Sequence, residues 1–149
     1  MNRAHNAHEA IHSIENARIH GFENISIDLI FSIPGQTLSA LEKDLNQALY
    51  QNPEHISVYS LTIEEKTVFG NWQKKGRFEA VGDESSAAQF DLLITTLEQH
   101  NYEQYEISNF AGKGLQCKGN LTYWENEPYV GIGPAAASYF AGERRTNFA

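Results

Sequence analysis

The clearest alternation of apolar and polar residues lies between positions 24 and 37. Five apolar residues recur there at every second position: Ile25, Ile27, Leu29, Phe31 and Ile33. Because Ile30 makes the centre of the stretch continuously apolar, the pattern predicts a parallel strand covered by helices rather than a half-exposed antiparallel strand. Pro34 and Gly35 then end the strand, since proline lacks a backbone donor and glycine allows an unusual turn.

Asp28 breaks this pattern, because it shares a face with Ser26, Ile30 and Ser32 and points away from the main apolar stripe. If the sheet curves into a barrel, that face is the lumen. An unpaired buried charge is very costly, so a carboxylate in the lumen needs a partner. In a structural interpretation, Asp28 forms a salt bridge or lies at a solvated end of the barrel. In a functional interpretation, it holds ligand hydroxyls or an amine at the barrel mouth.

Helical periodicity flanks the strand on both sides. Residues 6–20 predict a helix with a capping box between Asn6 and Glu9. Residues 37–51 predict a second helix, with a possible capping box between Ser39 and Glu42.

A second strand is predicted over residues 55–63, which are rich in β-branched side chains. The order helix, strand, helix, strand with short connections indicates βαβ crossovers and a parallel sheet.

The second half of the chain is less regular. Residues 64–82 are mostly polar and predict a long connection of the kind that often forms a functional lid. A helix capped by Asp83 is expected to run to about residue 100, followed by a short strand over residues 102–108. Residues 109–149 are rich in glycine and aromatic side chains and predict an irregular segment.

Composition narrows the class of protein. A chain of 149 residues has the length of one ordinary domain. Its net charge of −8 argues against non-specific binding to nucleic acid or to an anionic membrane. With neither a signal peptide nor an 18-residue apolar run, the expectation is a cytoplasmic protein without membrane insertion. A single cysteine, Cys117, excludes an internal disulfide.

Residues 8–12 spell the H-E-x-x-H pattern of zinc metalloproteases. On a helix, His8 and His12 would share a face and could bind zinc, with Glu9 as the general base. Glu9 already has a capping role, however, and no third ligand can be identified, so these histidines are weak candidates.

Two other strings invite a chemical interpretation. Residues 131–134, Gly-Ile-Gly-Pro, lack the spacing and the lysine of a phosphate-binding loop and predict a tight turn. Cys117 could be a nucleophile or an axial ligand, but a lone cysteine more often simply packs.

Several ordered motifs resemble one known family. They are residues 27–30, 34–37, 55–62 and 103–111, Cys117, Asn120-Leu121, Tyr123-Trp124 and residues 131–134. Together they resemble the radical S-adenosylmethionine (SAM) proteins of the oxygen-independent coproporphyrinogen III oxidase family, and within it the heme chaperone (HemW-like) branch.

The resemblance implies an α/β fold, the later part of an incomplete TIM-like barrel of parallel strands. It implies a single partial domain over residues 1–149, with βα units to about residue 108 and a family-specific extension over residues 109–149. It also implies SAM-binding roles. Arg3 matches the arginine that pairs with the SAM carboxylate, Asp28 matches the acidic residue that binds the ribose hydroxyls, and Thr62 and Ala137 fall where the adenine and methionine portions lie.

The chain departs from the family pattern at several positions. The CxxxCxxC motif that holds a [4Fe-4S] cluster is absent, so these residues cannot assemble that cluster. Gly119 and Ala137 stand where the chaperone branch usually has histidine, and Lys66 and Val68 replace a glycine and a proline. The resemblance therefore implies either a fragment of a longer protein or a truncated relative.

Three functions remain open. The first is a radical-SAM-type heme chaperone that, at full length, binds heme, SAM and a [4Fe-4S] cluster and passes heme to an acceptor protein. The second is an anaerobic oxidase that decarboxylates coproporphyrinogen III using SAM. The third is a catalytically dead interaction module. An open barrel edge further predicts that the chain alone either forms a homodimer or rearranges that edge.

Overall fold

The computed structural model describes residues 6–148, which form two compact units, one ending at Leu115 and the other beginning at Gln116. The elements of the first unit are α1 Ala7–Ile19, β1 Ser26–Phe31, α2 Leu38–Tyr50, β2 His55–Ser60, α3 Val68–Lys74, α4 Asp83–Gln99, β3 Glu103–Gln104 and β4 Asn109–Ala111. Those of the second unit are α5 Lys118–Trp124, β5 Ala137–Phe140 and β6 Glu143–Thr146.

The first unit is built on a four-stranded sheet with the order β1-β2-β4-β3. β1 and β2 pair in parallel over their full length, as the βαβ pattern predicted. β4 pairs antiparallel with both β2 and β3, so the sheet is mixed and the predicted parallel pairing holds only for β1 and β2. Only four residues separate β3 from β4, and a connection that short can join only antiparallel neighbours.

The hydrophobic core lies between one face of this sheet and the two long helices α2 and α4. Its members come from the strands and from the facing sides of those helices: Phe31, Ile56, Val58 and Phe110, with Leu41, Leu45, Leu93 and Leu97. Leu29 packs against this core, as the period-two stripe predicted. The alternate residues of β1 and β2 therefore lie on the other face of the sheet.

Helix capping confirms one prediction and corrects two. Asn6 and Glu9 form the expected capping box at the start of α1. α2 is capped instead by Thr37, whose hydroxyl accepts from the backbone N of Ala40, so the proposed Ser39–Glu42 box was wrong. α4 likewise starts one residue after Gly82, and Asp83 lies in its first turn, where its charge favours the helix dipole.

Two predicted segments differ in their secondary structure. The polar stretch 64–82, expected to be a loop, contains helix α3, which is capped by Thr67. The strand expected over residues 102–108 is only two residues long, because the chain turns back into β4. No helix among the described residues has the length and apolar character needed to cross a membrane.

The second unit contains regular structure where an irregular segment was expected. β5 and β6 form an antiparallel hairpin, and Tyr129 bridges to Tyr139 beside it. A Cβ at Gly131 would collide with the carbonyl oxygen of Ala137, so only glycine allows these two segments to approach this closely. The chain then turns at Pro134, which confirms the predicted tight turn in this region.

Candidate functional site

The face of the sheet turned away from α2 and α4 carries mostly polar side chains and is called the polar face here. It consists of Ser26, Asp28, Ile30, His55, Ser57, Tyr59, Asn109 and Ala111. Asp28, Ser57 and Asn109 lie directly opposite one another and form one row across three strands. Neighbouring strands are about 4.8 Å apart, so this row spans about 10 Å.

His55 is the most constrained group on the polar face. It is 5% exposed, and its Nδ1 lies 2.8 Å from the Ser26 hydroxyl while its Nε2 lies 2.7 Å from the Tyr105 hydroxyl. Burial lowers the pKa of His55, and the carboxylates of Asp28 and Glu106 oppose that shift only in part. The imidazole is therefore held neutral, with both ring nitrogens engaged.

Asn109 provides a buried acceptor at the far end of the row. Its Nδ2 donates to the Glu106 carboxylate, which also accepts from the backbone N of Ser108. Among the described residues, the Oδ1 atom of Asn109 has no hydrogen-bond partner, although the residue is only 5% exposed. A buried acceptor without a partner costs free energy, so the polar face has hydrogen-bonding capacity that the fold itself does not use.

Asp28 lies on the polar face as the alternation predicted, but its side chain is exposed. Within the part of the chain that the structure describes, Asp28 makes no salt bridge, so the structural ion pair considered from sequence is not seen. It also borders a groove of about 240 Å³ between α1, β1 and α2, together with Asp44, Ile11 and Ile27. Its carboxylate is thus available to hydrogen-bond donors of a ligand.

The loop that follows β1 is held in a fixed conformation. Ser32 is buried and has a left-handed φ of 57°. Its backbone N donates to Oε1 of Gln89 at 2.8 Å, and its hydroxyl lies 2.6 Å from the hydroxyl of Ser86. Gln89 also donates to the carbonyl of Gln36. Helix α4 therefore fixes the loop at the carboxyl end of the strand that carries Asp28.

The other expected SAM-binding residues belong to other elements of the chain. Thr62 is exposed and lies two residues after the end of β2, the strand beside β1. Ala137 is half-buried in β5 of the second unit. Arg3 lies outside the described residues.

The two histidines of the H-E-x-x-H string lie side by side on α1, with ring centroids 5.7 Å apart. Glu9 is engaged in the capping box, and Nδ1 of His12 is 3.3 Å from the side-chain nitrogen of Asn16. Across residues 6–148, no group of three histidine, cysteine or acidic side chains could hold a metal ion.

Sequence reasoning missed His55, Tyr105 and Asn109 as members of the site. The sequence does contain a signal for His55. Residues 55–59 alternate in the same way as β1, which places His55 and Ser57 opposite the apolar Ile56 and Val58. Tyr105 and Asn109 reach the polar face only through the antiparallel β3–β4 turn, which the predicted parallel sheet did not include.

No family model matches this sequence. The chain is 48% identical over 147 residues to "Heme chaperone HemW" of Bacillus subtilis, covering 99% of this chain and 39% of that protein. It is 38% identical over 147 residues to "Heme chaperone HemW" of Lactococcus lactis, again covering 99% of this chain and 39% of that protein. The chain thus spans about two fifths of the length of these curated relatives.

A solved structure is also similar. It is described as coproporphyrinogen III oxidase (HemN) from Escherichia coli, a radical SAM enzyme, and it superimposes with a TM-score of 0.75 at 21% sequence identity. The match covers 99% of this chain and 36% of that protein. At this identity the likeness concerns the fold.

Proposed function

Since this chain belongs to the HemW/HemN-like family of radical SAM proteins, we propose that it contributes a barrel segment to a heme chaperone. The observation that carries this proposal is the 48% identity to a protein named heme chaperone, sustained over 147 residues. Heme is the cargo in this proposal, and a heme-acceptor protein is the partner that would receive it.

The polar face supports a role in binding SAM. The carboxylate of Asp28 is exposed and free of salt bridges among the described residues, and two carboxylate oxygens suit the two hydroxyls of a ribose. The unused acceptor of Asn109 lies in the same row. When bound, SAM supplies a sulfonium group with cleavable carbon–sulfur bonds. The residues of this chain would hold and orient its nucleoside.

The [4Fe-4S] cluster of the family does not fit the residues of this chain. A CxxxCxxC motif supplies three thiolates, and this sequence contains one cysteine, Cys117, which is exposed. We therefore assign the cluster no ligands here, and the proposed role of this chain is binding rather than radical chemistry.

A heme titration tests the proposal. Hemin added under anaerobic, reducing conditions to a reconstituted full-length protein containing this segment is expected to shift the Soret band and to saturate at one equivalent. A Soret band that stays identical to that of free hemin throughout the titration would contradict the heme-chaperone proposal.

The fold likeness to a coproporphyrinogen III oxidase supports one alternative, the anaerobic oxidase. Formation of decarboxylated product from coproporphyrinogen III by a reconstituted protein containing this segment would favour it over the chaperone. If neither heme binding nor product formation occurs, the interaction module is the remaining function.

A further inference from the structure

The second unit contains a pocket of about 350 Å³ that no part of the proposed SAM site uses. Three tyrosines, an asparagine and an arginine line it, and it is called the tyrosine pocket below: Tyr123, Asn126, Tyr129, Tyr139 and Arg144. All five residues belong to the unit that begins at Gln116, so the pocket is formed within that unit.

The backbone pairing explains why these side chains meet. Tyr139 on β5 lies directly opposite Arg144 on β6, so both side chains project from the same face of the hairpin. Tyr129 pairs with Tyr139 on the other edge of β5, through reciprocal backbone hydrogen bonds of 2.8 and 2.9 Å. One row therefore contains Tyr129, Tyr139 and Arg144 in adjacent backbone segments.

The rings form an aromatic wall. Tyr123, near the end of α5, meets Tyr129 edge to face with the centroids 4.7 Å apart, and Tyr129 and Tyr139 lie 6.3 Å apart and tilted by 33°. Edge-to-face contacts of this kind fix the orientation of the rings. The rings of Tyr129 and Tyr139, which are tilted by only 33°, thus present a preformed surface on which a flat molecule can stack.

Arg144 brings an uncompensated positive charge to this wall. In the described part of the chain it makes no salt bridge, whereas its neighbour Arg145 pairs with Glu143 at 2.7 Å. Successive strand residues point to opposite faces, so Arg145 lies on the side of the hairpin away from Tyr139. A planar guanidinium suits a carboxylate, with which it forms two parallel hydrogen bonds.

We propose that the tyrosine pocket binds a planar aromatic molecule that carries a carboxylate, with its ring on the tyrosines and its carboxylate on Arg144. The proposal rests on the proposed function in one respect, because it takes a porphyrin edge with a carboxylate side chain as the ligand. A volume of about 350 Å³ is near the small end of ligand pockets. It therefore suits one edge of a porphyrin rather than the whole macrocycle.

Metal-free protoporphyrin IX, which carries two carboxylates, and its dimethyl ester are the probes, and porphyrin fluorescence is the readout. The chain is expected to bind the acid about tenfold or more tightly than the ester, because the ester cannot pair with a guanidinium. Arg144→Gln should remove this preference while leaving the affinity for the ester unchanged. Tyr139→Leu should weaken binding of both probes.

Arg145→Gln is the matched control, because it removes the same charge at the next position on the opposite face of the hairpin. It is expected to keep the preference for the acid. If circular dichroism shows that Arg144→Gln disturbs the hairpin, Arg144→Lys serves instead. That variant keeps the charge, loses the planar fork, and should lose most of the preference.

The proposal would be overturned if the unmodified chain bound the acid and the ester with equal affinity. It would also be overturned if Arg144→Gln and Arg145→Gln lost the preference for the acid to the same extent. Its failure is distinguishable from that of the proposed function. A Soret shift with hemin that does not depend on Arg144 would retain heme binding and reject the pocket. Acid binding that depends on Arg144, without any Soret shift with hemin, would retain the pocket and reject the chaperone.

Discussion

His55 shows how a single residue organises the polar face. Its ring is enclosed between the hydroxyls of Ser26 and Tyr105, which gives both nitrogens a partner without a charge on the ring. Burial favours the neutral form, and it outweighs the attraction of the Asp28 and Glu106 carboxylates for a proton. The result is a neutral imidazole beside an exposed carboxylate.

The lowered pKa of His55 predicts that the stability of the fold depends on pH. The unfolded chain takes up this proton near pH 6.5, the ordinary pKa of histidine, but the folded chain takes it up only at lower pH. Stability should therefore be fully present above pH 6.5 and should fall as the pH drops below it, because acid then favours the unfolded state. Urea unfolding at pH 7.5 and 5.5 measures the effect.

His55→Asn is expected to reduce this pH dependence and to cost about 1–3 kcal/mol at pH 7.5, because it removes the buried ring that hydrogen-bonds the hydroxyls of Ser26 and Tyr105. His100→Asn, which removes an exposed histidine at the end of α4, is the control and should keep the pH dependence of the unmodified chain. An identical loss of stability on acidification in His55→Asn and in the unmodified chain would contradict the prediction.

Asp28 is the residue on which the proposed SAM site depends. Asp28→Asn keeps the size of the side chain but removes the charge that strengthens hydrogen bonds from ribose hydroxyls. Calorimetric titration with SAM should show an affinity lower by about tenfold to a hundredfold, as expected for the loss of charge-assisted hydrogen bonds. Asp91→Asn on the exposed side of α4 is the matched control. Unchanged affinity in Asp28→Asn would remove Asp28 from the site.

At the scale of elements, an ion pair anchors α1 to the amino end of the sheet. Arg18 contacts Glu54 at 2.8 Å and donates to the carbonyl of Glu23, while Glu54 also accepts from the backbone N of Ile25 at 2.8 Å. Burial works to raise the pKa of Glu54, but the hydrogen bonds from Arg18 and Ile25 and the charge of Arg18 lower it overall. α1 has no buried residues, so this network is a main contact that positions it.

Local signals in the sequence predicted the elements that local interactions determine. The capping box at Asn6, the period-two stripe of β1 and the glycine-proline turn near residue 133 each depend on neighbouring residues, and all three are present. Helix α3 was missed because it is only seven residues long and contains a glycine, and its start depends on the hydroxyl of Thr67 accepting from the backbone N of Gly70. A segment of that length has little periodicity to detect.

The candidate site could be predicted only where it follows the alternation of a strand. Asp28 was placed on the correct face because residues of a strand point alternately to its two sides. The contribution of Asn109 depends on an antiparallel pairing between residues 52 positions apart in the chain, Ser57 and Asn109. No local pattern encodes that contact.

At the scale of the whole molecule, the sheet has an open edge. β1 is a terminal strand in the order β1-β2-β4-β3, and no strand within residues 6–148 pairs with its outer side. An unpaired strand edge is a template for pairing with another chain. The half-buried Ile27, Leu29 and Ile30 lie along this edge, so apolar surface accompanies the free backbone groups.

We therefore expect the chain alone to form a homodimer through β1. Analytical ultracentrifugation over a range of concentrations should show a monomer–dimer equilibrium. Ile30→Lys should shift it toward the monomer, because a lysine on an edge strand opposes strand pairing. Ile107→Lys, at an exposed position in the β3–β4 turn, is the control that should leave the equilibrium unchanged. A monomer at every concentration, or equal effects of the two lysines, would show that β1 does not mediate assembly.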